Sequence, residues 1–340
     1  MANQSNRSSS IDFTKGIAAI SIVCLHCANN DPLDSIIHLV GRMAVPMFLI
    51  ITGYYLPSMI KSGHMGRHIF KILKIILGGL LFYLPLYCLD AYLHGDFWRQ
   101  LSQVILWDRL GWLFLLGKFP VNIRAGHLWY LMAILYILCF MKLFTRKYPV
   151  RKLYVLIPIL FLIGYLISSF DLGNNTRNYY QNYLFMGMPY VLLGSFIREH
   201  AMGQRLTNRQ LGGLIALFLV LYIAEIGLYV FIGLPAHREH YLCIIPLVSC
   251  ILIWATRNPQ FGSRSFITTI GKEYSICIYV IHFYFVRRMW YLFNGSSVDS
   301  KLQMLTSLAL SLLVAHLFLL IRNYWKTRHS EITDRGRVNE

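Results

Sequence analysis

Ten stretches of the 340-residue chain are candidates to cross a bilayer, and they leave little room for anything else. A helix needs about 20 mostly apolar residues to span ~30 Å of hydrocarbon. Such runs lie near residues 12–29, 38–58, 70–93, 127–145, 152–170, 181–198, 211–232, 240–256, 267–286 and 302–322. Runs of this length satisfy their backbone polar groups internally as helices. The sequence therefore predicts an all-α polytopic membrane protein with about ten transmembrane helices. It reads as one membrane domain over 1–340, with polar tails at 1–11 and 324–340. The longest gap, 94–126, is too short to fold alone. Within it, "DFWRQLSQVILWDRLGWLFLLGKF" mixes Trp with charge and predicts a short amphipathic helix at the interface. No cleavable signal peptide is expected, because the first run leads into the second without a small-residue cleavage site.

Charge decides the orientation. Only 14% of residues are charged, and the net charge is +17. The cations cluster between apolar runs instead of forming a folded basic domain, which excludes a nucleic-acid partner and matches the positive-inside pattern. With the N-terminus inside, 22 of the 32 Lys and Arg fall on the inner side, including Lys61, Arg67, Arg146, Lys147, Arg198 and Arg257. That bias fits an even number of spans with both termini in the cytoplasm.

Orientation turns sequence position into depth. In "KGIAAISIVCLH", Lys15 and His26 are eleven residues apart, so they share one helix face within ~20° and lie ~16 Å apart along the axis. Asp12 lies on the same stripe one turn earlier, and polar stripes in membrane helices face protein or water. Counting from the inner edge puts His26, Glu225, His127 and His282 at one outer level, with Lys15, Lys71, Lys74 and His316 lower down. His26 is either bonded to a neighbouring helix or acts as a general base. Glu225 is the candidate carboxylate to orient it, or else a buried acid paired with a donor such as Arg42. Arg42, in "GRMAVPMFLIITGYYLP", either snorkels to headgroups or meets a partner acid or an anionic substrate group. Lys71 and Lys74 are three apart and share a face. They serve either the topology signal or a phosphate clamp for a nucleotide-bearing donor. The seven cysteines show no framework spacing, so free thiols are expected, and no metal site is expected.

These segments carry a resemblance. "K-GIAAISIVCL-H" is similar to the basic-residue, ten-residue, histidine motif of the acyltransferase-3 family of membrane acyltransferases, with Lys15 for the commoner Arg. "VPMFLIITGYYL" resembles the family's second-helix "VPLFFxxSGYLL", with Thr52 for Ser. "GHLWYLMAIL" at 126–135 and "YSICIYVIHFYF" at 274–285 resemble its fourth-helix and late histidine motifs. A family "R-x-x-R" pair at the start of helix 3 is met only by Lys71 and Lys74. The "RMAVPMF" form looks like the branch that holds enterobacterial common antigen and surface-polysaccharide O-acetyltransferases.

The resemblance implies transfer of an acyl group, acetyl in the first instance, from cytoplasmic acyl-CoA to a hydroxyl of a cell-surface polysaccharide or lipid-linked sugar. Acetyl-CoA would be a donor substrate, with no resident cofactor, and the bilayer would be a bacterial cytoplasmic (inner) membrane. His26 would take the acceptor's proton. Lys71, Lys74 and Lys15 would hold donor phosphates. His127, His282 or Arg42 would stabilise the oxyanion or hold the sugar. Two other readings stay open. One is a secondary transporter, against which no internal repeat is evident. The other is a membrane domain serving a partner enzyme.

Overall fold

The first helix begins at a side-chain cap: the Ser8 side chain accepts the Ile11 N–H at 3.4 Å. The structure is a computed structural model that describes residues 8–28, 32–105, 107, 110–117, 123–169, 177–233, 238–293 and 300–338. In chain order it forms α1 (Ser9–Cys27), α2 (Pro32–Gly41), α3 (Ala44–Lys61), α4 (Met65–Leu93), α5 (Phe97–Ser102) and α6 (Leu110–Leu116). Next come α7 (Trp129–Phe144), α8 (Leu156–Ser169), α9 (Arg177–Tyr180), α10 (Met188–Glu199) and α11 (Met202–Arg205). The chain ends with α12 (Asn208–Phe231), α13 (Ile244–Arg257), α14 (Phe266–Thr269), α15 (Ser275–Phe293) and α16 (Ser300–Val338).

No strand occurs among the described residues, and the protein is all-α and polytopic. Among these residues seven helical segments are long and apolar enough to span a membrane: 9–27, 36–61, 65–93, 126–144, 150–169, 208–231 and 301–328. The other expected runs fall on α10, α13 and α14–α15. α13 has only 14 residues. α10 follows a π-helical turn at Tyr183–Gly187, and a second one at Ile270–Tyr274 joins α14 to α15. Single π turns inside helices often mark functional positions, because they re-aim the side chains around them. The 94–126 segment holds two short helices, α5 and α6, where one was expected, and parts of it lie outside the described residues.

α1 is central, packed on α2, α3, α13, α14, α15 and α16. Small and polar side chains on its buried face make this possible: Ser10, Thr14, Gly16, Ala18 and Ala19. Without a hydrophobic drive between helices in lipid, close backbone approach is what holds such pairs together. A Cβ on Gly16 would lie 2.0 Å from the Ile267 carbonyl oxygen, and one on Gly271 would lie 1.7 Å from that of Asp12. α3 and α10 meet in the same way. A Cβ on Gly53 would fall 2.0 Å from the Val191 oxygen, and one on Gly194 would fall 2.0 Å from the Ile50 oxygen. By contrast, α12 fully buries only Leu211, Tyr222 and Tyr229 of its 24 residues and leaves most of the others exposed, as a helix at the lipid boundary does.

These contacts give a stability test. Gly53→Ala should cost about 1–3 kcal/mol, since either the helix pair parts or a carbonyl shifts. Gly212 in α12 has nothing within 4 Å of an added Cβ, so Gly212→Ala should be neutral or slightly stabilising. Thermal unfolding of the two variants in detergent compares them directly; equal midpoints would remove the close-packing argument.

Candidate active site

Three helices deliver three histidines to one place. His26 stands in the last turn of α1. His127 lies in a 3₁₀ turn, Gly126–Leu128, that leads into α7, and His282 sits within α15. Ring centroids are 5.4 Å apart for His26 and His282, and 5.2 Å for His127 and His282. Burial is graded across the cluster: His26 is exposed, His127 is partly buried and His282 is completely buried.

Hydrogen bonds assign the protons on the inner pair. His282 Nδ1 faces the carbonyls of Ile278 at 3.0 Å and Tyr279 at 2.8 Å, so Nδ1 carries the hydrogen. His127 Nε2 faces the Val280 carbonyl at 3.0 Å and is the donor there. The opposite nitrogens, His282 Nε2 and His127 Nδ1, are buried and have no hydrogen-bond partner among the described residues. Two lone pairs are thus held in the interior with nothing to accept. Such groups are costly to leave unmade and call for a donor, whether water or a ligand.

Aromatic side chains wall the cluster. Phe283 stacks on His127 at 5.3 Å and meets His26 edge-on at 5.3 Å. Tyr83 of α4 packs on His127 at 5.3 Å and donates to the Val280 carbonyl at 3.0 Å. Tyr279 donates to the His127 carbonyl and packs on Tyr130 at 5.4 Å. Thr52, the residue that replaces the motif's Ser on α3, donates to the Phe48 carbonyl of its own helix at 2.9 Å. Tyr83, Tyr130, Tyr279 and Phe283 were not singled out from the sequence. Tyr279 and Phe283 stand next to His282 in the late motif and were legible there as its helical neighbours.

A family profile described as an acyltransferase domain matches residues 8–321, nearly the whole chain. The chain belongs to the acyltransferase-3 family. The serine/alanine racemase of Enterococcus gallinarum is a relative, 26% identical over 95% of this chain. The chain spans about half of that protein, 47% of its length. No solved structure matches significantly.

Within this acyltransferase-3 chain, the other residues expected at the site are distributed differently. Lys15 pairs with Asp12 of its own helix at 2.7 Å, one turn apart, beside the π-helical turn of Gly271. Arg42 neither snorkels nor meets Glu225. It pairs with Glu239 at 2.5 Å, and the pair is largely buried. Glu225 does not orient His26, which corrects the expected pairing. Its two oxygens accept the backbone N–H groups of Leu242 at 2.8 Å and Cys243 at 2.9 Å, and so cap α13. Those N–H groups have no partner within their own helix, which is why a carboxylate settles there. His316 is also engaged, with Nδ1 3.0 Å from the Tyr274 hydroxyl.

Lys71 and Lys74 share a face, as their spacing requires, but it is the wrong face for an interior clamp. The buried residues of α4 include Ile76, Gly79 and Tyr83. Relative to Tyr83, Lys71 is turned ~120° and Lys74 ~180° around the helix. Both are exposed, and Lys74 lies over the Phe70 ring at 4.6 Å. The same basic end of the bundle holds a cavity of about 740 Å³ between α3, α10, α11 and α13. Tyr54, Arg198, Asn208, Arg257 and Asn258 line it. Arg198 donates to the Tyr54 hydroxyl at 2.7 Å, and Arg257 to the Gly203 carbonyl at 3.1 Å.

Proposed function

We propose that this protein is a membrane O-acyltransferase that moves an acyl group, acetyl in the simplest case, from cytoplasmic acyl-CoA to a hydroxyl of a cell-surface polysaccharide or lipid-linked sugar, in a bacterial inner membrane. The observation that carries this reading is the histidine cluster, whose two interior nitrogens have no partner among the described residues. A hydroxyl is a weak nucleophile and needs its proton removed as the new bond forms. His26, exposed at the mouth, is the base. The acceptor oxygen attacks the thioester carbonyl, the proton passes to a His26 ring nitrogen, and the C–S bond breaks. Coenzyme A leaves as thiolate and takes the proton from the His26 imidazolium, which yields the free thiol and restores the base. His127 Nδ1 and His282 Nε2 offer lone pairs, so they suit sugar hydroxyls that donate to them. In these tautomers they have no N–H to spare for an oxyanion. Membership of the acyltransferase-3 family supports the reaction class.

The donor is best seated at the basic end. Its phosphates suit the cavity that holds Arg198 and Arg257, since guanidinium groups bind phosphate through paired N–H donors. Neither arginine is ion-paired among the described residues. Purified protein given acetyl-CoA and a hydroxyl acceptor should release free thiol in an acceptor-dependent way, and no release would sink the reading. Arg198→Gln with Arg257→Gln should raise the donor KM by about 10-fold or more. Lys71→Ala with Lys74→Ala should leave it within about two-fold, because exposed lysines contribute little. The reverse ranking would return the donor phosphates to α4.

A further inference from the structure

A narrow cleft of about 20 Å³, wide enough only for the tip of a polar group, lies beside the histidine cluster and shares two of its walls. Tyr83 and Phe283 line both. The rest of the cleft holds Asp90, Arg124, Arg287 and Arg288, together with Tyr87 and Tyr291. Asp90, buried in α4, serves two cations: Arg288, and Arg124 at 3.3 Å. Arg287 has no carboxylate among the described residues. It donates to the Tyr291 hydroxyl at 3.0 Å, and its Nε is buried without a partner among the described residues. Three guanidinium groups therefore face one carboxylate.

The backbone adds a second observation. Arg124 has φ +58°, in the left-handed region that non-glycine residues rarely adopt. Such strain persists where the surroundings over-determine it, and it concentrates at ligand clamps. The turn that holds Arg124 in this state runs three residues on into His127. One local conformation thus sets both the cation in the cleft and a ring of the histidine cluster.

We propose that this cleft binds an oxyanion, carboxylate or phosphate, carried by the acyl acceptor, so that the acceptor is an acidic sugar or a sugar phosphate and not a neutral sugar. The proposal rests on the acyl-transfer reading. The oxyanion engages Arg287 and the free edges of Arg124 and Arg288, and an adjacent hydroxyl then lies against the histidines past Phe283. Arginine suits this task because its planar fork matches carboxylate and phosphate oxygens.

The test is equilibrium binding to the full chain in phosphatidylcholine nanodiscs, without donor, using glucuronate, glucose 1-phosphate and glucose. Both anionic sugars should bind at least about 10-fold more tightly than glucose, and added salt should weaken them. Arg287→Gln should weaken glucuronate by about 10-fold or more, and Arg287→Lys by less. The proposal is overturned if neither anionic sugar binds, if glucose binds equally well, or if folded Arg287→Gln binds as wild type. Should Arg287→Gln fail to fold, salt-independent binding to wild type overturns it instead. Binding in detergent that disappears in nanodiscs would assign the cleft to lipid headgroup phosphate, and this too overturns it. Because no donor is present, the two readings fail separately. Binding without thiol release would sink acyl transfer, and thiol release without a preference for anionic sugars would sink the oxyanion site.

Discussion

His26→Ala should lower acyl transfer by about 10²–10⁴-fold, the usual cost of removing a general base. The ring lies at the open end of the cluster, exposed, in the last turn of α1. Truncation there removes no buried core, so insertion and thermal stability should be close to wild type. The readout is acceptor-dependent thiol release by protein whose unfolding midpoint has been checked. The acceptor-dependent rate should fall with the donor KM unchanged, since the ring nitrogen acts on the acceptor's proton. A near-wild-type rate from folded His26→Ala would pass the base role to another group.

The second large effect is expected at His282. Asn can place an amide N–H near the position of Nδ1 and keep the bonds to the Ile278 and Tyr279 carbonyls. It offers nothing at Nε2. His282→Asn therefore separates the structural half of this ring from the half that faces the cluster. Turnover should fall by about 10–100-fold, the cost of one buried hydrogen bond to substrate, with the loss appearing in acceptor kinetics. His282→Leu removes both halves, strands two carbonyls and should also lower stability. If His282→Asn turned over as wild type, the buried lone pair would be idle and the acceptor would be held elsewhere.

Depth was legible in the sequence and azimuth was not. Counting residues from the inner edge placed His26, His127 and His282 at one level, and the structure brings their rings within 5.2–5.4 Å along the chain of contacts through His282. The same counting placed Glu225 there, yet its carboxylate caps α13. It also put Lys71 and Lys74 on one face of α4, correctly, without saying which way that face turns. Helical periodicity fixes rise and relative angle along one helix. The rotation of that helix against its neighbours is set by packing.

The sequence by itself determined the all-α membrane class, the positions of the apolar runs, the polar stripe from Asp12 to His26, and the motifs that carry the family. Each follows from a local rule: the length needed to cross hydrocarbon, the repeat of one helix, or the order of short motifs. Only the tertiary structure decided the partners. Arg42 met Glu239, nearly two hundred residues away in sequence, and Asp90 gathered Arg124 and Arg288. The inner histidines were given their tautomers by carbonyls of α15. These outcomes depend on how closely backbones approach at Gly16, Gly53, Gly194 and Gly271, because a shift of one helix by a single side-chain width would exchange every partner across it.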